Sequence, residues 1–157
     1  NIEGEKIIKA KKFKKNLPNF YGFIFEDPKN ANEFYNFINA KYNLKHLNVE
    51  SNVPISINKE TYYLSFFERE KSTETLNLIP IAVDAGLQSK GNDPIFEDNY
   101  TSRKGYWYLV LTVTDPKFKD CLNPNHPQHG KIVNHLKKLK DEYFSTSNYM
   151  EAYLKMK

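Results

Sequence analysis

Alternating or continuous apolar residues mark several strand-like segments along the chain. The strongest segment is 106–114, YWYLVLTVT. Its odd-numbered residues are all apolar, namely Trp107, Leu109, Leu111 and Val113, so we expect it to lie at the centre of a sheet. Residues 20–25 and 62–70 have the length and apolar content of further strands. Residues 76–83 follow 62–70 after a short connection, which predicts an antiparallel hairpin. Since Pro80 has no amide hydrogen, this last strand should lie at an edge or carry a bulge.

Two other segments have the three- and four-residue spacing of amphipathic helices. The first follows Asp27 and Pro28, a pair typical of a helix cap and a first helical residue, and places apolar side chains from Ala31 to Tyr42 on one face. The second covers residues 131–144. Asp115 is also followed by proline, so we expect another junction from a strand to a short helix there.

The order of these segments predicts an α+β fold. Strands are concentrated in the middle of the chain and helices towards its ends, which favours a mostly antiparallel sheet of about 4–6 strands with helices packed on it. Residues 44–58 are ambiguous and suggest short strands around Pro54. Gly22 interrupts the first strong strand and allows either a bulge or the close approach of another segment.

Length and charge refine this picture. The 157 residues correspond to one ordinary domain. The formal net charge is +4, but six lysines and two glutamates in residues 1–15 account for all of it. The remaining residues carry 17 basic and 17 acidic side chains, obtained by subtracting those numbers from totals of 23 and 19. We therefore predict a lysine-rich arm or tether over 1–15 and a single globular α+β domain over 16–157.

Composition also limits the partners and the compartment. Arg69 and Arg103 are the only arginines, so specific nucleic-acid recognition is not expected, although weak contact of the arm with an anionic surface is compatible with its charge. No apolar run approaches the roughly 20 residues of a transmembrane helix. The chain begins without methionine, which is compatible with removal of an export signal and a location in the cell envelope; a cytoplasmic location is not excluded by the sequence.

Several familiar catalytic motifs are absent from the sequence. The six glycines form neither a dinucleotide-binding loop nor a phosphate-binding loop, and the zinc-protease and serine-hydrolase signatures are missing. Cys121 is the only cysteine, so an intrachain disulfide and a dithiol redox pair are excluded. On these grounds we predict no cofactor and no catalytic residue.

One group of residues has donors that suit a metal ion. The thiolate and imidazole ligands preferred by zinc or copper are supplied by Cys121, His126, His129 and His135. Their spacing matches no established zinc finger, and Pro127 separates the first two histidines. We therefore favour a polar loop beside a buried cysteine and regard the metal site as the less favoured interpretation.

The polar segment 84–105 is a second candidate site. Loops longer than about 12–15 residues are uncommon in compact domains and are often functional. Carboxylates in such a loop suit calcium or acid–base chemistry, although the alternating pattern of a calcium loop is missing. The candidate ligand-binding residues are Asp84, Asp93, Glu97, Asp98, Tyr100 and Arg103.

Together these features predict a non-enzymatic binding or interaction domain of a bacterial accessory or envelope protein, with a protein or a small ligand as its partner. One alternative is a small hydrolase-like enzyme whose site combines the 84–105 loop carboxylates with Asp115, with Cys121, or with the histidines His126, His129 and His135. Another is an anionic-surface binder acting through residues 5–15. The enzyme requires a concave pocket in which a carboxylate and a histidine come within hydrogen-bond reach.

Overall fold

The computed structural model describes residues 4–71, 106–149 and 152–153. Within these residues lies one antiparallel sheet with the strand order β1-β2-β5-β4-β3, together with three helices, which confirms the predicted α+β fold. The elements, in chain order, are β1 (Lys6–Lys9), α1 (Ala10–Phe13), β2 (Tyr21–Glu26), α2 (Glu33–Lys41), β3 (Val53–Ile57), β4 (Glu60–Lys71), β5 (Tyr106–Thr114) and α3 (His129–Ser145). None of the described helices combines the length and the apolar character needed to cross a membrane.

Strand β5 occupies the centre of the sheet, as its apolar sequence predicted. It pairs with β2 on one side and with β4 on the other, and Leu111 lies opposite both Phe23 and Phe66. Leu109, Val110 and Leu111 are all fully buried. Because neighbouring side chains point to opposite faces, this burial means that both faces of the sheet are covered at β5.

The larger core lies between one face of the sheet and the helices α2 and α3. Helix α2 contributes Phe34, Phe37 and Ile38, which follow the three- and four-residue spacing of a buried helix face. Helix α3 contributes Leu136 and Tyr143 among its buried residues. The predicted amphipathic helix over 131–144 is therefore present, extended by two residues at its start and by one at its end.

The second face of the sheet is covered by residues of the predicted lysine arm. Ala10, Phe13 and the following Leu17 form a smaller core with residues of β2 and β5, and the ring of Phe13 meets the edge of Tyr108 at 5.3 Å between centroids. Residues 6–9 pair with β2 as an edge strand. The apolar residues between the lysines thus fold this part of the predicted arm or tether onto the sheet.

Gly22 on β2 lies close to Val110 of β5 and to Ala10 of α1. A methyl group placed on Gly22 would lie 2.7 Å from Cγ1 of Val110 and 3.6 Å from Cβ of Ala10. The first distance is far shorter than a carbon–carbon contact allows. The glycine is therefore needed for close approach, which is one of the two roles that the sequence suggested.

We expect Gly22→Ala to lower the free energy of unfolding by about 1–3 kcal/mol, because the added methyl group overpacks this contact. Urea denaturation measures the change. Gly130→Ala is the matched control, since a methyl group there meets no atom within 4 Å. Adding Val110→Ala should relieve the clash, so the double variant should lose less stability than the sum of the single variants; an additive loss would contradict this explanation.

Two predicted helix starts are wrong. Helix α2 begins at Glu33, six residues after Asp27, and the Asp27 carboxylate instead accepts hydrogen bonds from the Tyr143 hydroxyl inside the core. Asp115 begins a turn in which its carboxylate accepts backbone hydrogen bonds, and the next described helix is α3. Neither carboxylate caps a helix: Tyr143 donates to Asp27, and backbone N–H groups of the turn donate to Asp115. The predicted strand 76–83 lies outside the described residues.

Candidate functional site

Part of the predicted metal set comes together after β5. Asp115, Cys121 and His126 place a carboxylate oxygen, a sulfur and a ring nitrogen within 4.8 Å of one another. His129 and His135 lie on α3 and do not belong to this group. The candidate ligand-binding residues of the loop, namely Asp84, Asp93, Glu97, Asp98, Tyr100 and Arg103, lie outside the described residues.

The turn after β5 brings these three side chains together. Oδ1 of Asp115 accepts hydrogen bonds from the backbone N–H groups of Lys117 and Lys119, at 2.8 and 3.0 Å. This arrangement is the side-chain turn that aspartate favours, and it reverses the chain. The backbone N–H of Cys121 then donates to the carbonyl of Val113 at 2.9 Å, so the returning chain runs beside the end of the strand.

The hydrogen bonds of His126 define the tautomer of its ring. Its Nδ1 accepts a hydrogen bond from the backbone N–H of Gln128 at 3.0 Å. The proton of the neutral ring therefore lies on Nε2, which donates to Oδ2 of Asp115 at 3.0 Å. The Sγ atom of Cys121 lies 3.8 Å from the same Nε2. A carboxylate and a histidine are thus in hydrogen-bond contact, which is the first requirement of the enzyme alternative.

The arrangement does not match that of a nucleophile with its base. In a catalytic triad one ring nitrogen faces the nucleophile and the other faces the orienting carboxylate. Here Nε2 of His126 faces both groups, and Nδ1 is occupied by the backbone. Burial, followed by the negative charges of Asp115 and Asp120, raises the pKa of Cys121 to about 12, so the group near the histidine is a neutral thiol. These contacts hold the turn in place rather than activate a nucleophile.

The same hydrogen bonds disfavour a metal ion at this group. A histidine that binds a metal through Nε2 carries its proton on Nδ1 and donates it to an outer partner. Nδ1 of His126 instead accepts a hydrogen bond from Gln128. The donor set therefore does not fit zinc or copper without rebuilding the turn.

Beside this turn lies a cleft that we call the hairpin cleft. It has a volume of about 460 Å³ and lies between the start of β4, the turn after β5 and the residues before α3. Its lining residues are Glu60, Thr61, Tyr62, Asp115, Pro116, His126 and Gln128. Other cavities, of about 440 and about 270 Å³, contain none of the candidate metal ligands. The hairpin cleft is therefore the cavity that is lined by candidate residues, namely Asp115 and His126.

The polar groups at the hairpin side of the cleft form a small network. Oε1 of Glu60 accepts hydrogen bonds from the Tyr62 hydroxyl at 2.9 Å and from Nζ of Lys131 at 3.3 Å. The Lys131 ammonium also lies over the Tyr62 ring, 5.6 Å from its centroid. The Glu60 side chain is 62% exposed, so its carboxylate remains open to a ligand.

Both carboxylates of the hairpin cleft are ionised at neutral pH. Hydrogen bonds from Tyr62 and Lys131 hold the pKa of Glu60 below its usual value. Burial raises the pKa of Asp115, but hydrogen bonds from His126 and from the backbone of Lys119 and Lys117 together lower it further than burial raises it. The described lining residues thus carry two negative charges, and the ammonium of Lys131, which lies beside the lining, offsets one of them.

Comparison with protein-family models, with curated proteins and with solved structures finds no match to this chain.

The sequence pointed to Asp115 and His126 as candidate site residues, but not to Glu60, Tyr62 and Lys131. Glu60 and Lys131 are 71 positions apart, and no local spacing or motif connects them. Their meeting depends on how the hairpin packs beside α3.

Proposed function

We propose that this chain is a non-enzymatic binding domain, and that its hairpin cleft holds a small polar ligand with a positively charged group. One observation carries the proposal. The groups in the cleft that are suited to chemistry, Asp115 and His126, are hydrogen-bonded to each other and to the backbone, whereas the Glu60 side chain stays 62% exposed although its Oε1 accepts from Tyr62 and Lys131.

The size and the construction of the cleft support binding. Its volume of about 460 Å³ lies within the usual range for small-molecule sites. Its wall at Asp115 and His126 is held by hydrogen bonds from Lys117, Lys119 and Gln128, so little of it has to be ordered when a ligand enters. Such preorganisation lowers the entropic cost of binding.

The charge of the cleft favours a cation over an anion. An ammonium group placed near Glu60 gains a charge-assisted hydrogen bond, while a carboxylate in the same place is repelled by Glu60 and Asp115. The Lys131 ammonium, 3.3 Å from Oε1 of Glu60, offsets only one of the two carboxylate charges. A ligand that carries one ammonium group and a short apolar body therefore fits the charge of the cleft.

The geometry supports the hydrolase alternative less well, since the ring nitrogens of His126 are both engaged and Cys121 is a buried neutral thiol. The 84–105 carboxylates that this alternative also uses remain a prediction. So does the origin in a bacterial accessory or envelope protein.

An NMR titration with two matched probes tests the proposal. Butylammonium and butyrate have similar length and opposite charge. We expect butylammonium, and not butyrate, to shift the backbone amide signals of residues 60–62 and 115–128. Glu60→Gln should weaken this binding about tenfold, because a hydrogen bond to a charged group is lost.

Glu50→Gln is the matched control, since Glu50 is also exposed and lies outside the cleft lining. Its affinity for butylammonium should equal that of the unchanged protein. Equal binding of both probes, or shifts centred on another part of the domain, would contradict the proposed site.

A further inference from the structure

Six lysines of the N-terminal segment lie on folded chain, from the edge strand β1 to the residues after α1. We call them the lysine surface, and they are Lys6, Lys9, Lys11, Lys12, Lys14 and Lys15. Five of them are exposed and Lys14 is half-buried. Two lie on β1, two on α1 and two directly after α1, so a short stretch of folded chain presents them all.

Hydrogen bonds and buried side chains hold this segment in place. The backbone N–H of Ala10 donates to the carbonyl of Phe20 at 2.8 Å, that of Lys14 donates to Ala10 at 3.0 Å, and that of Leu17 donates to Lys14 at 3.2 Å. Ala10, Phe13 and Leu17 are buried against the second face of the sheet. The apolar side chains thus point to the sheet, while the lysines between them remain at the surface.

The described residues give the lysines of this surface no close ion pair. Within the part of the chain that the structure describes, no carboxylate lies within 4.0 Å of any of the six ammonium groups. The neighbouring Glu5 is instead paired with Lys140 at 2.7 Å and Lys137 at 3.7 Å on α3. Since residues 16–157 sum to zero charge, the excess charge of the chain lies within residues 1–15, which include β1 and α1.

We propose that the lysine surface binds the anionic surface of a phospholipid membrane. Lysines near such a surface are attracted by its negative potential without inserting into the bilayer, and each adds to the affinity. The other anionic macromolecule with this field is nucleic acid, and the geometry fits it less well. Helix α1 has four residues, too few to read a groove, and the Phe13 ring is buried and unavailable for stacking on a base.

This surface is separate from the hairpin cleft. Strand β1 is one edge of the sheet, while the β3–β4 hairpin forms the opposite edge. A membrane contact through the lysine surface therefore leaves the cleft open, and the two proposals are tested independently.

Co-sedimentation of the full chain with vesicles tests the membrane proposal. We expect binding to phosphatidylcholine vesicles that contain phosphatidylserine, no binding to phosphatidylcholine alone, and loss of binding at high salt. The quadruple variant Lys11→Gln, Lys12→Gln, Lys14→Gln and Lys15→Gln should bind at least about a hundredfold more weakly. Circular dichroism and the thermal midpoint should show that this variant keeps its fold, because these side chains are not buried.

The matched control removes the same charge elsewhere, through Lys45→Gln, Lys59→Gln, Lys117→Gln and Lys119→Gln, all at exposed positions. This control should retain most of the vesicle binding. An equal loss in both quadruple variants would show that net charge rather than the lysine surface is responsible, and would overturn the proposal. Tight binding to duplex DNA without vesicle binding would also overturn it, in favour of nucleic acid.

Discussion

Replacing Phe34 with alanine is expected to lower the free energy of unfolding by about 4 kcal/mol. Phe34 is 1% exposed and lies where α2 meets both the sheet and α3. Its ring centroid is 4.9 Å from those of Phe66 and Tyr143, and 6.3 Å from that of Phe25. The substitution removes these edge-to-face contacts and leaves a cavity that aromatic neighbours fill poorly. Urea denaturation followed by circular dichroism measures the change.

Phe118→Ala provides the matched control for this experiment. Phe118 is 67% exposed, and its ring contacts Tyr63 in a stacked arrangement at 6.3 Å. The same loss of a benzyl group there should cost less than about 1 kcal/mol. Similar costs at the two positions would mean that α2 does not pack on the sheet as described.

Tyr143→Phe is expected to lower the free energy of unfolding by about 2–3 kcal/mol, although it removes a single oxygen atom. The Tyr143 hydroxyl donates to the Asp27 carboxylate, whose oxygens lie 2.9 and 3.0 Å away. Asp27 is 2% exposed, so water does not replace the lost donor. Burial, followed by the charge of Asp27, raises the pKa of Tyr143 far above its usual value, and the hydroxyl therefore keeps the proton that it donates.

Tyr106→Phe is the control for this substitution, because Tyr106 is 39% exposed. We expect a change of about 0.5 kcal/mol or less. In an Asp27→Asn background the cost of Tyr143→Phe should fall, since the buried acceptor is then neutral. An undiminished cost in that background would show that the hydroxyl acts through contacts other than the carboxylate.

Lys29 extends the same buried cluster to the end of α3. Its backbone N–H donates to Asp27, and its Nζ donates to the carbonyls of Tyr143 and Thr146 at 2.6 and 2.9 Å. A cation at the C-terminal end of a helix satisfies carbonyl groups that have no helical partner and interacts favourably with the helix dipole. Asp27 and Lys29 thus join the segment directly after β2 to the end of α3.

Local sequence patterns were sufficient for the main elements of the fold. The apolar run at 106–114 predicted the central strand, because only a strand with both faces covered tolerates so few polar residues. The spacing in 131–144 predicted α3, because one helix face has to be apolar to pack on a sheet. Gly22 was predicted to allow close approach, and its missing side chain makes room for Val110.

Tertiary structure decided what the polar residues do. Asp27 and Asp115 each precede proline and lysine, and each accepts the backbone N–H two residues on. Their distant partners differ, since Asp27 accepts from the Tyr143 hydroxyl of α3 and Asp115 accepts from His126. Likewise, residues 6–9 become a strand because β2 offers an edge, and Glu60 meets Lys131 across 71 positions. Periodicity shows which face of an element is buried, because buried residues recur every three or four positions in a helix and every second position in a strand. The partner of a charged group is set by three-dimensional proximity, which no local pattern contains.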